Sequence, residues 1–211
     1  MGAPPPPAHM RHMMKRLVLA AVAALSFTPA FADVLSLGQI STYLNSLDTV
    51  QTRFVQTNPD GSRDTGTLSI KRPNRARFEY DPPNKALVIA GGGAVAVFDE
   101  WNRSDPDQYP LKRTPLNLIL GANIDLSKAR MVVDHKASGD RTLVVAQDPD
   151  HPDYGQIGLY FEQNPVRLAE WVIFNEMGEA TKVQLDPFVE KSNLSTFLFS
   201  IPYETEERAK R

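Results

Sequence analysis

The chain has 211 residues, 42% of them hydrophobic and 23% charged, and a net charge of −2 at pH 7, which suits one sizeable core and offers no polycationic surface for nucleic acid. It contains no cysteine, which excludes disulfides, thiol nucleophiles, zinc–thiolate sites and lipid attachment at an N-terminal cysteine.

Residues 1–32 read as a leader. Arg11, Lys15 and Arg16 form a basic region, and Leu17 to Phe27 is an apolar run. That run is far shorter than the roughly 20 residues a membrane span needs. Ala30-Phe31-Ala32 is a small-x-small cleavage site before Asp33. The four consecutive prolines near the start are foreign to a signal peptide, so Met13 and Met14 stand beside Met1 as possible translation starts. Loss of the three basic leader residues takes the net charge from −2 to −5 and leaves one expected domain, 33–211, exported to the periplasm.

The domain opens on a helix. Ser36 and Gln39 form a capping box, and Leu37, Ile40, Tyr43, Leu44 and Leu47 make a helical apolar stripe. A strand over 51–56 carries Phe54, and Asn58-Pro59-Asp60-Gly61 is a turn. Leu68 and Ile70 share one face of the next strand. Arg72 has the same parity, so a guanidinium points toward the apolar side. There it either finds specific acceptors or snorkels outward. After Pro73, Ala76, Phe78 and Tyr80 face one way and Arg75, Arg77 and Glu79 the other. Residues 87–90 and 94–98 form a hairpin with a loose turn at Gly91–Gly93, apolar on both parities.

A short second helix is expected with Thr114 as cap, Pro115 at its first position and Gly121 at its stop. Its aliphatic residues require tertiary support. Strands are then expected over 131–134, 142–147, 157–161, 168–174, 181–185 and 197–201, before a frayed charged tail over 204–211. The fold class is mainly β: a curled antiparallel sheet of about eleven strands with short helices. A sheet this wide must curl, and its concave side can enclose an apolar cavity.

Catalytic signals are weak. Gly91–Gly93 lacks the lysine and helix of a phosphate loop. Asp148-Pro149-Asp150-His151-Pro152-Asp153 puts a proline and an aspartate where a calcium loop needs a ligand and a glycine. Asp134 and His135 are adjacent on a strand and face opposite ways. No Gly-x-Ser-x-Gly elbow is present. The expectation is a non-enzyme with no metal and no cofactor.

Several segments resemble the LolA family of periplasmic lipoprotein carriers. They are Phe54-Val55-Gln56, Gly66-x-Leu68-x-Ile70-Lys71-Arg72-Pro73, Arg77-Phe78-Glu79-Tyr80-x-Pro82-Pro83, Val97-Phe98-Asp99, Gln108-Tyr109-Pro110-Leu111, Thr114-Pro115-Leu116 and Phe197-x-Phe199-x-Ile201-Pro202. They occur in family order across nearly the whole mature chain. The resemblance implies a half-open barrel covered by short lid helices. It implies a monomer that takes acylated lipoproteins from an inner-membrane ABC release complex and delivers them to an outer-membrane receptor. The family's functional arginine maps onto Arg72, which would hold the lid shut. Some members carry bulky apolar residues where this chain has Arg75 and Ala76, which alters the expected lining. Strand parity and the short helix nominate Phe54, Leu68, Ile70, Phe78, Tyr80, Leu87, Ile89, Val95, Val97, Leu116, Ile119 and Leu120 as cavity residues. The alternative is a stress-sensor or lipid-binding domain of the same fold.

The leader makes the first prediction. N-terminal sequencing of protein from the periplasmic fraction should begin at Asp33, and an intact leader in washed membranes would defeat the reading.

Overall fold

The computed structural model describes Gly2 and residues 34–99, 105–152 and 155–210; the leader and its cleavage site lie outside the described residues. Helix α1 (Leu37–Ser46) begins as the sequence predicts. Ser36 accepts from the Gln39 N–H, and the Gln39 side chain accepts from the Ser36 N–H at 2.8 Å. Its buried face carries Ile40 and Leu44.

Among the described residues twelve strands follow in one antiparallel sheet: β1 (Thr49–Thr57), β2 (Arg63–Lys71), β3 (Ala76–Tyr80), β4 (Leu87–Gly91), β5 (Ala94–Phe98), β6 (Asp107–Pro110), β7 (Val132–Ser138), β8 (Arg141–Gln147), β9 (Gln156–Gln163), β10 (Val166–Phe174), β11 (Ala180–Leu185) and β12 (Val189–Glu190). Their order is β6-β5-β4-β3-β2-β1-β11-β10-β9-β8-β7, with β12 beside β1. The outermost strands, β6 and β7, do not pair with each other, so the sheet is an unclosed half-barrel. Helix α2 (Asn117–Leu120) sits in the β6–β7 connection and α3 (Ile201–Ala209) follows the last strand.

The β4–β5 turn is tighter than expected. Gly91 pairs with Ala94, leaving Gly92 and Gly93 as a two-residue loop with φ of 60° and 84°. Positive φ at both positions is what a short hairpin twisted in the native sense requires.

The sheet buries both faces. Its concave side packs Phe54, Leu68, Ile70, Leu159 and Phe161 against Ile40 and Leu44 of α1 and Leu120 of α2. On the convex side Leu87, Ile89, Ala96 and Phe98 pack under Ile201 of α3. This explains the apolar character of the β4–β5 hairpin on both parities. It also corrects the cavity assignment of Leu87 and Ile89, which turn away from the concave side.

Three further expectations are corrected. The strand expected over 197–201 and the frayed tail are instead a 3-10 turn, Thr196–Phe199, running into α3. Ser200 caps this helix by accepting from the Tyr203 N–H, and Pro202 occupies its first turn, where a missing N–H costs nothing. Strands β6 and β12 carry no apolar alternation and escaped notice. Thr114 does not cap α2; it closes the preceding 3-10 turn (Leu111–Arg113) by donating to the Leu111 carbonyl at 2.9 Å.

An ionic cluster clamps α3 to the convex face. Arg77, only 8% exposed, donates to the Leu198 carbonyl at 3.1 Å and to Glu204 at 3.0 Å. Arg208 meets the same carboxylate at 2.9 Å and stands 4.9 Å from the centre of the Phe98 ring. Burial alone would raise the Glu204 carboxyl, but hydrogen bonds from Arg208 and Arg77 outweigh it and hold it below its ordinary value. A carboxylate depressed in the folded state contributes stability above its unfolded pKa and loses it on acidification. Glu204→Gln should therefore lower stability by about 1–3 kcal/mol at pH 7. Paired melts of the variant and wild type should converge as pH falls below about 4.5, the group's ordinary value.

Candidate ligand cavity and its latch

Arg72 follows the last residue of β2 and points where its parity predicts, into the lid. One guanidinium nitrogen, Nη1, donates to the carbonyls of Leu44 at 2.6 Å and Leu47 at 3.3 Å. The other, Nη2, donates to the carbonyls of Gly121 at 2.7 Å and Ala122 at 3.3 Å, and to Asn45 Oδ1 at 2.9 Å. Helix C-termini leave carbonyls without intrahelical partners and concentrate negative dipole there. A single cationic fork thus satisfies the end of α1 and the residues just past α2. Burial lowers the Arg72 pKa, and the nearby Asp48 opposes that shift. Its Nε is buried without a partner.

The surrounding backbone repeats the grip. Asn74, at φ 63°, donates its N–H to the Leu120 carbonyl at 2.8 Å. Asn45 also receives the Ile124 N–H at 3.1 Å and donates to the Ile124 carbonyl at 2.8 Å. Ser41 accepts from Leu126 N–H at 3.0 Å. α2, a single turn that could not persist alone, is held from both sides.

Between lid and sheet lies a cavity of about 250 Å³. Phe54, Phe78, Tyr80, Val88, Ile157, Trp171, Ile173 and Val183 line it from the sheet, and Pro115, Leu116 and Ile119 from the lid. The aromatic rings meet edge-on: Phe54 with Phe78 at 6.0 Å, Phe54 with Tyr80 at 5.1 Å, and Phe78 with Trp171 at 6.0 Å. Polar groups are few. Arg113, Gln147, Asp148 and Gln156 contribute to the lining, and Tyr80 donates to Gln56 at 2.7 Å within it. Burial and the Asp64 charge push the Tyr80 phenol up to about 12, so it stays protonated.

Of the residues nominated from sequence, Phe54, Phe78, Tyr80, Leu116 and Ile119 border this space. Leu68, Ile70, Val95 and Leu120 are buried in the solid core beside it. Val97 lies opposite Val88 in the β4–β5 register and is half-buried. Leu87 and Ile89 lie under α3, and Val88, between them, supplies the lining. The β9–β11 wall was missed because parity shows which residues share a face, not which strands curl round to oppose the first half. The alternation of Trp171 and Ile173 was its available signal.

The two members of the candidate catalytic pair each have a structural partner. Asp134 pairs with Lys136 at 2.5 Å, and His135 Nε2 meets the Leu35 carbonyl at 2.7 Å. Among the described residues no three His, Asp or Glu side chains converge as metal ligands.

The matching family model and the curated relatives carry one description. The family profile "Outer membrane lipoprotein carrier protein LolA" matches residues 45–202. An outer-membrane lipoprotein carrier protein of Coxiella burnetii is 28% identical over 171 residues, covering 76% of this chain and 80% of that protein. One from Pseudomonas syringae is 22% identical over 201 residues, covering 89% and 94%. Among solved structures, a LolA superfamily protein from Nitrosomonas europaea is 11% identical with a TM-score of 0.43, covering 79% of this chain and 98% of that one.

The position of each side chain separates two variants. Leu116→Glu, in the half-buried lid, should fold and lose at least about tenfold in affinity for a fluorescent apolar probe, since a carboxylate cannot enter an apolar space unpaired. Ile70→Glu, only 2% exposed in the solid core, should instead lose its cooperative melt. Unchanged probe binding by folded Leu116→Glu would remove the cavity as the probe's site.

Proposed function

Because the chain belongs to the LolA family and is a carrier of outer-membrane lipoproteins, we propose that its apolar cavity shelters the cargo's acyl chains and that Arg72 is the latch of that compartment. The observation that carries this reading is the guanidinium fork joining the ends of α1 and α2, the second of which supplies Ile119 to the wall of an apolar cavity. No covalent step is needed. Burying one CH₂ contributes roughly 0.8 kcal/mol, so a single long acyl chain contributes on the order of 10 kcal/mol against water. Against a bilayer the gain vanishes, because the chain is already in an apolar medium. Loading therefore calls for an energised donor, an inner-membrane ABC release complex, and unloading for an outer-membrane receptor of higher affinity. The periplasm between them is the working compartment, and a monomer suffices.

The volume supports a lid that moves. At about 250 Å³ the cavity falls below the ~300–1,000 Å³ of pockets enclosing one drug-sized ligand. Several acyl chains require it to widen, and Arg72 must release its carbonyls as α1 and α2 part. The energy of that release subtracts from the affinity for cargo and so assists delivery.

A charged hydrogen bond contributes roughly 1.5–3 kcal/mol, so Arg72→Leu should shift the closed-to-open ratio by roughly 10- to 150-fold. The variant should retain pre-loaded lipoprotein and pass it slowly to the receptor, while Arg72→Lys is intermediate because one ammonium cannot span both helices. Equal transfer rates for wild type and Arg72→Leu would refute the latch. Mass spectrometry of what co-purifies from periplasm tests the rest: a membrane-anchored regulator in place of lipoproteins would favour the stress-sensor alternative.

A further inference from the structure

A directed chain of polar side chains enters the apolar cavity from outside. It starts at Asp64, a carboxylate that only accepts hydrogen bonds. Asn58 Nδ2 donates to it at 2.8 Å and Asn84 Nδ2 at 3.0 Å. With its nitrogen turned to Asp64, Asn58 presents its oxygen to Gln56, whose Nε2 donates at 2.7 Å. Gln56 then presents its own oxygen to Tyr80, which donates at 2.7 Å. Each amide orientation follows from the one before it, so the carboxylate fixes the whole sequence. The Tyr80 proton is committed to Gln56, and the phenol oxygen keeps its lone pairs for the cavity that Tyr80 lines. Among the described residues no donor is directed at that oxygen. A chain of hydrogen bonds running toward an anion also polarises each member and strengthens its terminal acceptor.

A compartment for hydrocarbon alone has no use for such an acceptor. Its complement is an N–H group lying next to an acyl chain. Glycerol esters of ordinary phospholipids present only acceptors there, and an ester oxygen forced against the phenol oxygen leaves two acceptors unsatisfied. We propose that Tyr80, oriented through Gln56, Asn58 and Asp64, accepts a hydrogen bond from the amide N–H of an N-acylated polypeptide terminus, and thereby separates lipoprotein cargo from membrane phospholipid. The inference rests on the carrier reading above and adds its selectivity.

The test compares displacement of an apolar dye by two probes, an N-acylated triacyl lipopeptide and phosphatidylglycerol. Wild type should prefer the lipopeptide. In Tyr80→Phe, which keeps the ring beside Phe54, the preference ratio should fall roughly 3- to 10-fold, the equivalent of one neutral hydrogen bond. Gln56→Met leaves the hydroxyl free to turn and donate, so its phosphatidylglycerol affinity should rise, and it tests the same point if Tyr80→Phe melts early. An unchanged preference ratio in Tyr80→Phe, or in Gln56→Met should the first variant not fold, would overturn the acceptor role while the carrier reading stands. Wild-type protein that takes up no lipopeptide would overturn the carrier reading itself.

Discussion

The ends of α1 and α2 meet over one cation with five acceptors. Arg72 stands next to an apolar interior, where an unpaired guanidinium would be prohibitive. Its surroundings answer with four carbonyls and one amide oxygen, drawn from the end of α1 and the residues just past α2. The helices supply acceptors that their own geometry leaves vacant. The arginine supplies a planar fork that reaches both. Neither α1 nor the single-turn α2 would be fixed over the sheet by hydrophobic contact alone with such directional control.

The same chemistry serves the opposite face in a different way. There Arg77 is sandwiched between carboxylates, Glu204 and Glu79, and helix α3 is fastened over the convex side of β4 and β5. Two arginines five residues apart in sequence, on opposite parities, thus hold the two coverings of one sheet. The difference is in the partner. A guanidinium on carbonyls forms bonds that can be exchanged for water or other acceptors. A guanidinium on a largely buried carboxylate such as Glu204, its side chain 13% exposed, leaves charge behind if the pair is broken. The convex clamp is accordingly the fixed one.

Much of this was legible in the residues. The parity of Arg72 pointed inward, the Ser36–Gln39 box placed α1, and Phe54, Phe78 and Tyr80 declared the face that borders the cavity. What stayed hidden was contact between elements distant in sequence. Leu87 and Ile89 carry the same apolar signal as a cavity wall, and only the docking of α3 assigns them to the other side. Phe197 to Ile201 alternates like a strand, yet Ser200 and Pro202 start a helix that the Arg77–Glu204 pair then retains. Trp171 and Ile173 needed the curl of the sheet to bring them opposite Phe78. Local periodicity fixes faces; it carries no information on which distant face will be met.

The open seam between β6 and β7 has a mechanical meaning. In a closed barrel every strand is pinned by two neighbours, and girth is set by strand number and stagger. Here the sheet ends freely on both sides. It behaves as a split ring. The two rims can spread through small changes of twist shared among many strands, and no inter-strand hydrogen bond has to break. The stiffness that resists expansion resides in the coverings, so a container built this way can change capacity while its wall keeps one unbroken pattern of pairing.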